Sequence, residues 1–285
     1  MELVFCLQTV LRGRASPSGS ITVTTQKPVL DEVGGYVDVT ATDIDGKNVR
    51  AALNVPIVED IFAARVAGFW EENNNNDVKN VFTGDTSEYE GQGIRLSLGF
   101  EPTEEVVINA MYQKIEPDRT LYFPVESANL ANPSLSPSSI AIKDSDRLSV
   151  QDTPEISEQE QESFNLEASW DIGAHQLNYV FADRELIVDR NTPFEIDATN
   201  SVEANHPAAA WQNLSQVLNT VQESSSHELR LQSLESLFDK VDYVVGMLYG
   251  ENEPTSNLIN PTPLAIFFPT GFPAPNNYFG PVAYS

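Results

Sequence analysis

Apolar and polar residues alternate along most of this chain, in blocks separated by connections of two different lengths. Over 164–172, Phe164, Leu166, Ala168, Trp170 and Ile172 fall on one side of an extended backbone, and Asn165, Glu167, Ser169 and Asp171 on the other. Over 93–100, Ile94, Leu96, Leu98 and Phe100 alternate with Arg95, Ser97 and Gly99. A period of two puts successive side chains on opposite faces of a sheet, so each block predicts a strand with one apolar face. The same pattern predicts strands over 49–55, 62–70, 106–113, 177–182, 228–232 and 241–249, and a less apolar first strand over 36–44. That makes about nine strands, each of roughly the length that crosses a bilayer when tilted.

The connections sharpen this picture. Those at 56–60, 102–105, 173–175 and 236–240 are tight turns. Those at 72–91, 116–160, 189–223 and 251–285 are long and polar, and the first contains the run Asn73 to Asn76. Asp45-Gly46-Lys47 reads as a hairpin turn with Gly46 at positive φ, and 208–221 as a short helix within one long loop. Short connections at one end and long ones at the other predict an all-β chain, a transmembrane antiparallel barrel with tight periplasmic turns and extended outer loops. A soluble β-sandwich has more uniform connections, and loops this long inside a compact domain are uncommon unless they bind something.

Charge and cysteine content narrow the partners. Asp and Glu number 42 against 16 Lys and Arg, a formal net charge of −26. Phosphate backbones repel such a chain, so nucleic acid is excluded as a partner. The acidity reads as a solvated outer surface, with a cation-attracting mouth as the sharper alternative. A single cysteine, Cys6, rules out an internal disulfide and a thiolate metal cluster. The apolar start MELVFCLQTV carries Glu2 where a signal peptide has basic residues, and no clean cleavage site follows. No apolar run is long enough for a membrane helix, which leaves strands free to cross. His175, His206 and His227 are spaced for no metal motif. No catalytic constellation is present, so the chain reads as a non-enzyme without a cofactor. Nine strands also do not close: bacterial barrels have even strand numbers, and an open edge in lipid leaves amides unpaired. The chain therefore reads as a piece of a larger barrel.

The stretch LQTVLRGRASPSGSITVTTQKP, from Leu7 to Pro28, resembles the end of the plug domain of TonB-dependent outer-membrane receptors. Gln8, Leu11, Gly13, Arg14, Gly19, Ile21, Thr25, Lys27 and Pro28 carry the match, while Cys6-Leu7 and Ser18 depart from the family's Gly-Pro and second Gly. ALNVPIVEDIFAARVAGFW, Ala52 to Trp70, resembles the hairpin that opens these barrels. HELRLQS, His227 to Ser233, and DYVVGMLY, Asp242 to Tyr249, resemble later barrel strands.

The resemblance implies a plug remnant over 1–31, with 21–25 as its closing strand and Pro28 starting the crossing to the wall. The N-terminal part of the barrel follows over 32–285, out of about twenty-two strands. It implies energised uptake of a small-molecule nutrient such as a ferric siderophore across the outer membrane of a Gram-negative bacterium. The partners implied are outer-membrane lipid and the TonB energy-transducing complex, although the TonB box is absent here. Read as a fragment, the chain is expected not to transport alone. Arg12 and Arg14 match the plug side, and Glu228 the wall side, of the family's plug-to-barrel ion pairs. Trp70, Tyr112, Trp170 and Tyr249 suit an interfacial aromatic belt. A porin-like channel or a surface-binding barrel without transport is the alternative.

Overall fold

The computed structural model describes residues 2–4, 20–22, 25–43, 45–81, 83–123, 144–149, 154–193, 215–236, 240–260 and 282–284. Two three-residue strands, β1 (Glu2–Val4) and β2 (Ser20–Thr22), pair antiparallel. Then come β3 (Gly34–Ala41), β4 (Lys47–Val58), β5 (Phe62–Asn73), the two-residue β6 (Lys79–Asn80), β7 (Glu88–Thr103) and β8 (Val106–Leu121). A single 3-10 turn at Asp144–Asp146 precedes the two-residue β9 (Leu148–Ser149). The chain continues with β10 (Glu155–Ile172), β11 (His175–Pro193), β12 (Ser215–Ser233), β13 (Val244–Asn260) and β14 (Val282–Tyr284).

Nine of these strands, plus β14, form one antiparallel sheet in the order β14-β13-β12-β11-β10-β8-β7-β5-β4-β3. Neighbouring strands are sequence neighbours, once the short β6 and β9 are set aside as a parallel pair of their own. This is the up-and-down order that the alternating short and long connections predict. Among the described residues the sheet is open. β3 forms one edge, and β14 covers only the last three residues of β13 at the other.

Large apolar side chains face outward. Leu53, Val66, Ile94, Leu96, Phe164 and Met247 are all more than a third exposed. Among the described residues the buried apolar side chains are only Ala52, Ala63, Val78 and Tyr122. Each large apolar side chain left in water forgoes about 1.5–3 kcal/mol, and a continuous face of them is not stable in water. The opposite face carries Asn54, Arg65, Ser97, Gln113, Asn165 and Glu167, set together by the register. The sheet is thus apolar outside and polar inside, the arrangement of a barrel wall in hydrocarbon around a wet or plugged lumen.

Several expectations change at the strand ends. The loops predicted over 116–160 and 189–223 shrink, because β8, β10, β11 and β12 run on as strands of 16 to 19 residues. The helix predicted within 208–221 is strand from Ser215 onward. The stretch after 251 begins as strand through Asn260, with Pro254 at a position where, among the described residues, β13 pairs only with β12. Beyond the apolar band the apolar residues no longer keep to one face (Leu186, Ile187 and Val188 are consecutive), so the period of two vanishes while the hydrogen-bond ladder continues. In the first hairpin the positive φ falls on Asp45, at 52°, and not on Gly46. Gly46 is needed for another reason: a Cβ there would run into the Thr42 hydroxyl.

Candidate functional site: the inner face and the segment laid across it

Residues 25–32 cross the inner face from β8 and β10 to β4. Thr25 Oγ1 lies 3.8 Å from Met111 Sδ on β8. Arg65 Nη2 on β5 donates to Gln26 Oε1 at 3.1 Å. Lys27 Nζ forms an ion pair with Glu167 Oε2 on β10 at 2.8 Å, both side chains about half exposed (53% and 53%). Pro28 lies over Gly99, where a Cβ would sit 3.4 Å from the proline's own.

The firmest attachment is at Asn54, which is 2% exposed. Its Oδ1 accepts the Val29 N–H at 2.9 Å. Its Nδ2 donates to the Val29 carbonyl at 2.8 Å and to the Glu32 carbonyl at 2.7 Å. One carboxamide thus uses its acceptor and both its protons, and it holds Val29 as a neighbouring strand would. The Asp60 N–H, in the turn after β4, adds a bond to the Leu30 carbonyl at 3.2 Å.

Further along the inner face, Arg95 Nε donates to Gln113 Oε1 at 2.8 Å. These two, with Tyr36, Arg50, Phe69 and Glu71, line a recess of about 350 Å³. Gly93 makes room for it: a Cβ there would lie 2.6 Å from Phe69 Cε1 and 3.1 Å from the Lys114 carbonyl.

Of the ion-pair candidates, Arg12 and Arg14 lie outside the described residues. Glu228 is on the inner face of β12 and accepts from Arg230 Nε, on the same strand, at 3.0 Å. Among the described residues the ion pair between the crossing segment and the wall is Lys27–Glu167. Its partners are 140 residues apart, and the sequence marks only their polarity.

On the outer face Tyr112, Phe164, Phe181, His227 and Tyr249 stand side by side across β8, β10, β11, β12 and β13. Phe164 and Phe181 have ring centroids 6.0 Å apart, Phe181 and His227 4.7 Å, and His227 and Tyr249 6.3 Å. Tyr179 is hydrogen-bonded to His227 Nδ1 at 2.9 Å. His227, expected at a strand start, sits well inside β12. Two residues further along each strand come Lys114, Glu162, Asp183, Ser225 and Glu251; the row steps by two residues between β10 and β11, where Phe164 stands opposite Asp183 and Phe181 opposite Leu166. Lys114 Nζ bonds Glu160 at 2.9 Å and Glu116 at 3.1 Å just beyond the row. Tyr112 and Tyr249 belong to this row. Trp70 stands opposite Val49 and Gln92 on the same outer face, and Trp170 lies nearer the tight turns, opposite Val106 and Leu177. The sequence marks Phe164 only as part of an apolar stripe and His227 only by its lack of a metal motif; the strand pairing brings them, with Phe181, beside Tyr112 and Tyr249. His175, at the start of β11, is held through Nδ1 by the Tyr243 hydroxyl at 3.0 Å.

No protein-family model and no curated protein matches the sequence. Solved structures do match the fold. The ferric yersiniabactin uptake receptor FyuA from Yersinia pestis superposes with a TM-score of 0.64 at 15% identity, over 90% of this chain and 36% of that one. The ferric-catecholate import receptor Fiu from K12 E. coli gives 0.63 at 12% identity, over 88% and 35%. The FpvAI–pyocin S2 complex gives 0.66 at 12% identity, over 90% and 32%. The fold is therefore that of the barrel wall of TonB-dependent outer-membrane receptors, the class that the sequence motifs resemble. The chain spans about a third of the length of each of these receptors.

Proposed function

We propose that the chain is the last part of the plug and the first part of the barrel of a TonB-dependent receptor importing a nutrient of the ferric-siderophore kind across a Gram-negative outer membrane. On this reading residues 1–31 are the end of the plug and 32–285 the barrel portion. The observation that carries it is the segment Thr25–Glu32, pinned by Asn54, Arg65 and Glu167 to the polar face of a sheet whose other face is apolar. A porin-like channel needs no segment fastened across its wall, so this contact favours the plugged receptor. Two of the fold's neighbours, described as uptake and import receptors for ferric compounds, support the substrate class. Lipid contacts the outer face, with Tyr112, Tyr249 and Trp70 towards the loop-side interface and Trp170 towards the turn side. The receptor of which this chain is a part acts by binding and transport, with no catalytic step, and its energy comes from the TonB complex acting on the plug; the chain alone does not transport.

Uptake of radiolabelled ferric siderophores by cells carrying the full receptor gene tests this. Uptake should stop on deletion of the gene and on collapse of the proton gradient. Uptake that survives proton-gradient collapse, or free diffusion of unrelated small solutes through the purified protein in vesicles, would replace this reading with the porin-like one.

A further inference from the structure

The run Asn73 to Asn76 has no part in the reading above, yet each of its residues is engaged. Asn73 Oδ1 accepts the Asn75 N–H at 2.7 Å, and Asn76 Oδ1 accepts the Val78 N–H at 3.1 Å. These side-chain bonds let the backbone turn through positive φ at Asn75 (49°) and Asp77 (57°), which Asn and Asp tolerate best. Two of the side-chain amides reach sideways, while Asn75 Nδ2 is buried with no hydrogen-bond partner among the described residues. Asn74 Nδ2 donates to Asp45 Oδ2, in the β3–β4 turn, at 3.3 Å. Asn76 Nδ2 donates to the Tyr122 carbonyl, just after β8, at 3.0 Å.

Beyond the run, the same connection binds a second one. β6 pairs in parallel with β9, so the Lys79 N–H meets the Arg147 carbonyl at 2.9 Å and the Val81 N–H meets the Ser149 carbonyl at 3.0 Å. Arg147 Nη1 closes an ion pair with Asp77 Oδ2 at 2.9 Å. The Tyr122 N–H donates to Ser87 Oγ at 2.9 Å. Between these bonds Asn80, Ser87 and Ser149 are fully buried, and Val78 and Tyr122 nearly so. Fully buried polar side chains on a connection between barrel strands mean that each connection supplies the other's interior.

We infer that the β3–β4 turn at Asp45, residues 74–87 after β5, and Tyr122 and 147–149 after β8 are fastened into one rigid cap, with the asparagine run as its spine, so that these residues move as a single body. Separate surface loops open independently at little cost. Here, opening 74–87 strips partners from Tyr122 and from 147–149, so the opening free energies are shared. The inference stands on these bonds alone and is independent of what the barrel transports.

Thiol labelling in membranes of cells expressing the protein tests it, in a Cys6→Ser background that leaves no native thiol. With Ser149→Cys, a bulky maleimide should react at least tenfold more slowly than with Thr83→Cys, an exposed position on the same cap. Adding Asn76→Ala, on the other connection, should speed labelling at position 149 at least fivefold. Unchanged labelling on adding Asn76→Ala would overturn the inference. Hydrogen exchange of the unsubstituted protein gives a second test that no substitution can disturb. The amides of Lys79, Val81 and Tyr122, the three that bond between connections, should exchange within about threefold of one another and respond to urea with one slope. Rates more than tenfold apart with different slopes would show independent loops and defeat the idea.

Discussion

Replacing Asn54 with Ala removes three hydrogen bonds from one side chain: to the Val29 N–H, the Val29 carbonyl and the Glu32 carbonyl. Each buried backbone group left unpaired costs about 1–3 kcal/mol. Val29 and Glu32 are themselves partly exposed, so water replaces part of what is lost, and about 2–4 kcal/mol of docking free energy remains at stake. That corresponds to an increase of roughly 30- to 1000-fold in opening of the segment, at 1.36 kcal/mol per factor of ten. The Val29 amide is a poor reporter, since Asn54→Ala removes its own acceptor. The Asp60 amide is a better one: it bonds the Leu30 carbonyl and not Asn54, so its exchange reports lifting of the segment. Exchange of the Asp60 amide in detergent-solubilised protein should accelerate by that factor in Asn54→Ala. Asn54→Asp keeps an acceptor for Val29 but turns carboxylate oxygens toward two carbonyls, so it should do no better. If the Asp60 amide changes by less than about threefold while Val29 alone speeds up, Asn54 is a local bond and does not hold the segment.

Other outcomes follow from the same geometry. Lys27→Glu and Glu167→Lys should each increase protease sensitivity of the 25–32 segment, and the double reversal should restore it; with both side chains half exposed the effect is at most about 1 kcal/mol and disappears in high salt. A double variant no better than either single one would mean that the pair contributes nothing. Leu96→Arg, on the outer face of β7, should cost about 2–4 kcal/mol in folding into lipid vesicles, while Gln113→Arg, on the inner face of β8, should cost far less; equal costs would reverse the assignment of faces. Burial raises the Tyr122 phenol above the ordinary tyrosine value of 10.0. The cap therefore keeps its full stability below pH 10 and loses it as pH rises through the raised value. Urea resistance should fall above pH 10 by less in Tyr122→Phe than in the unsubstituted protein; an equal fall would assign it to other groups.

What the sequence made legible is the environment, more than the backbone. Over 164–172 the period of two is clean because Phe164, Leu166 and Trp170 lie on the apolar outer face while Asn165, Glu167 and Ser169 lie on the polar inner face. Over 155–163 the same strand carries Glu158, Glu160 and Glu162 outward and Ser157, Gln159 and Gln161 inward, and no contrast remains to be read. The ladder to β8 and β11 nevertheless continues there, since backbone pairing asks nothing of side-chain polarity. For this reason the strand count was readable while the strand ends, and with them the helix expected over 208–221, were not.

The contacts that define the candidate site fail to show in sequence for a different reason. Lys27 and Glu167 are one cation among 16 and one carboxylate among 42, and only the fold selects that pair. Asn54 is one inward polar residue on a strand with Asn48 and Arg50 on the same face; what distinguishes it is that the chain returns to within hydrogen-bond distance 25 residues earlier in sequence. Gly46 shows the limit from the other side. Asp-Gly read correctly as a turn, because both residues belong in turns. It assigned the positive φ to the wrong member, because the glycine was chosen for close approach to Thr42 and Asp45 accepts the left-handed conformation while its carboxylate receives Asn74. Local chemistry therefore fixes where the chain turns. Which residue bears the strain is decided by the contacts around the turn, here Thr42 against Gly46 and the asparagine run on Asp45.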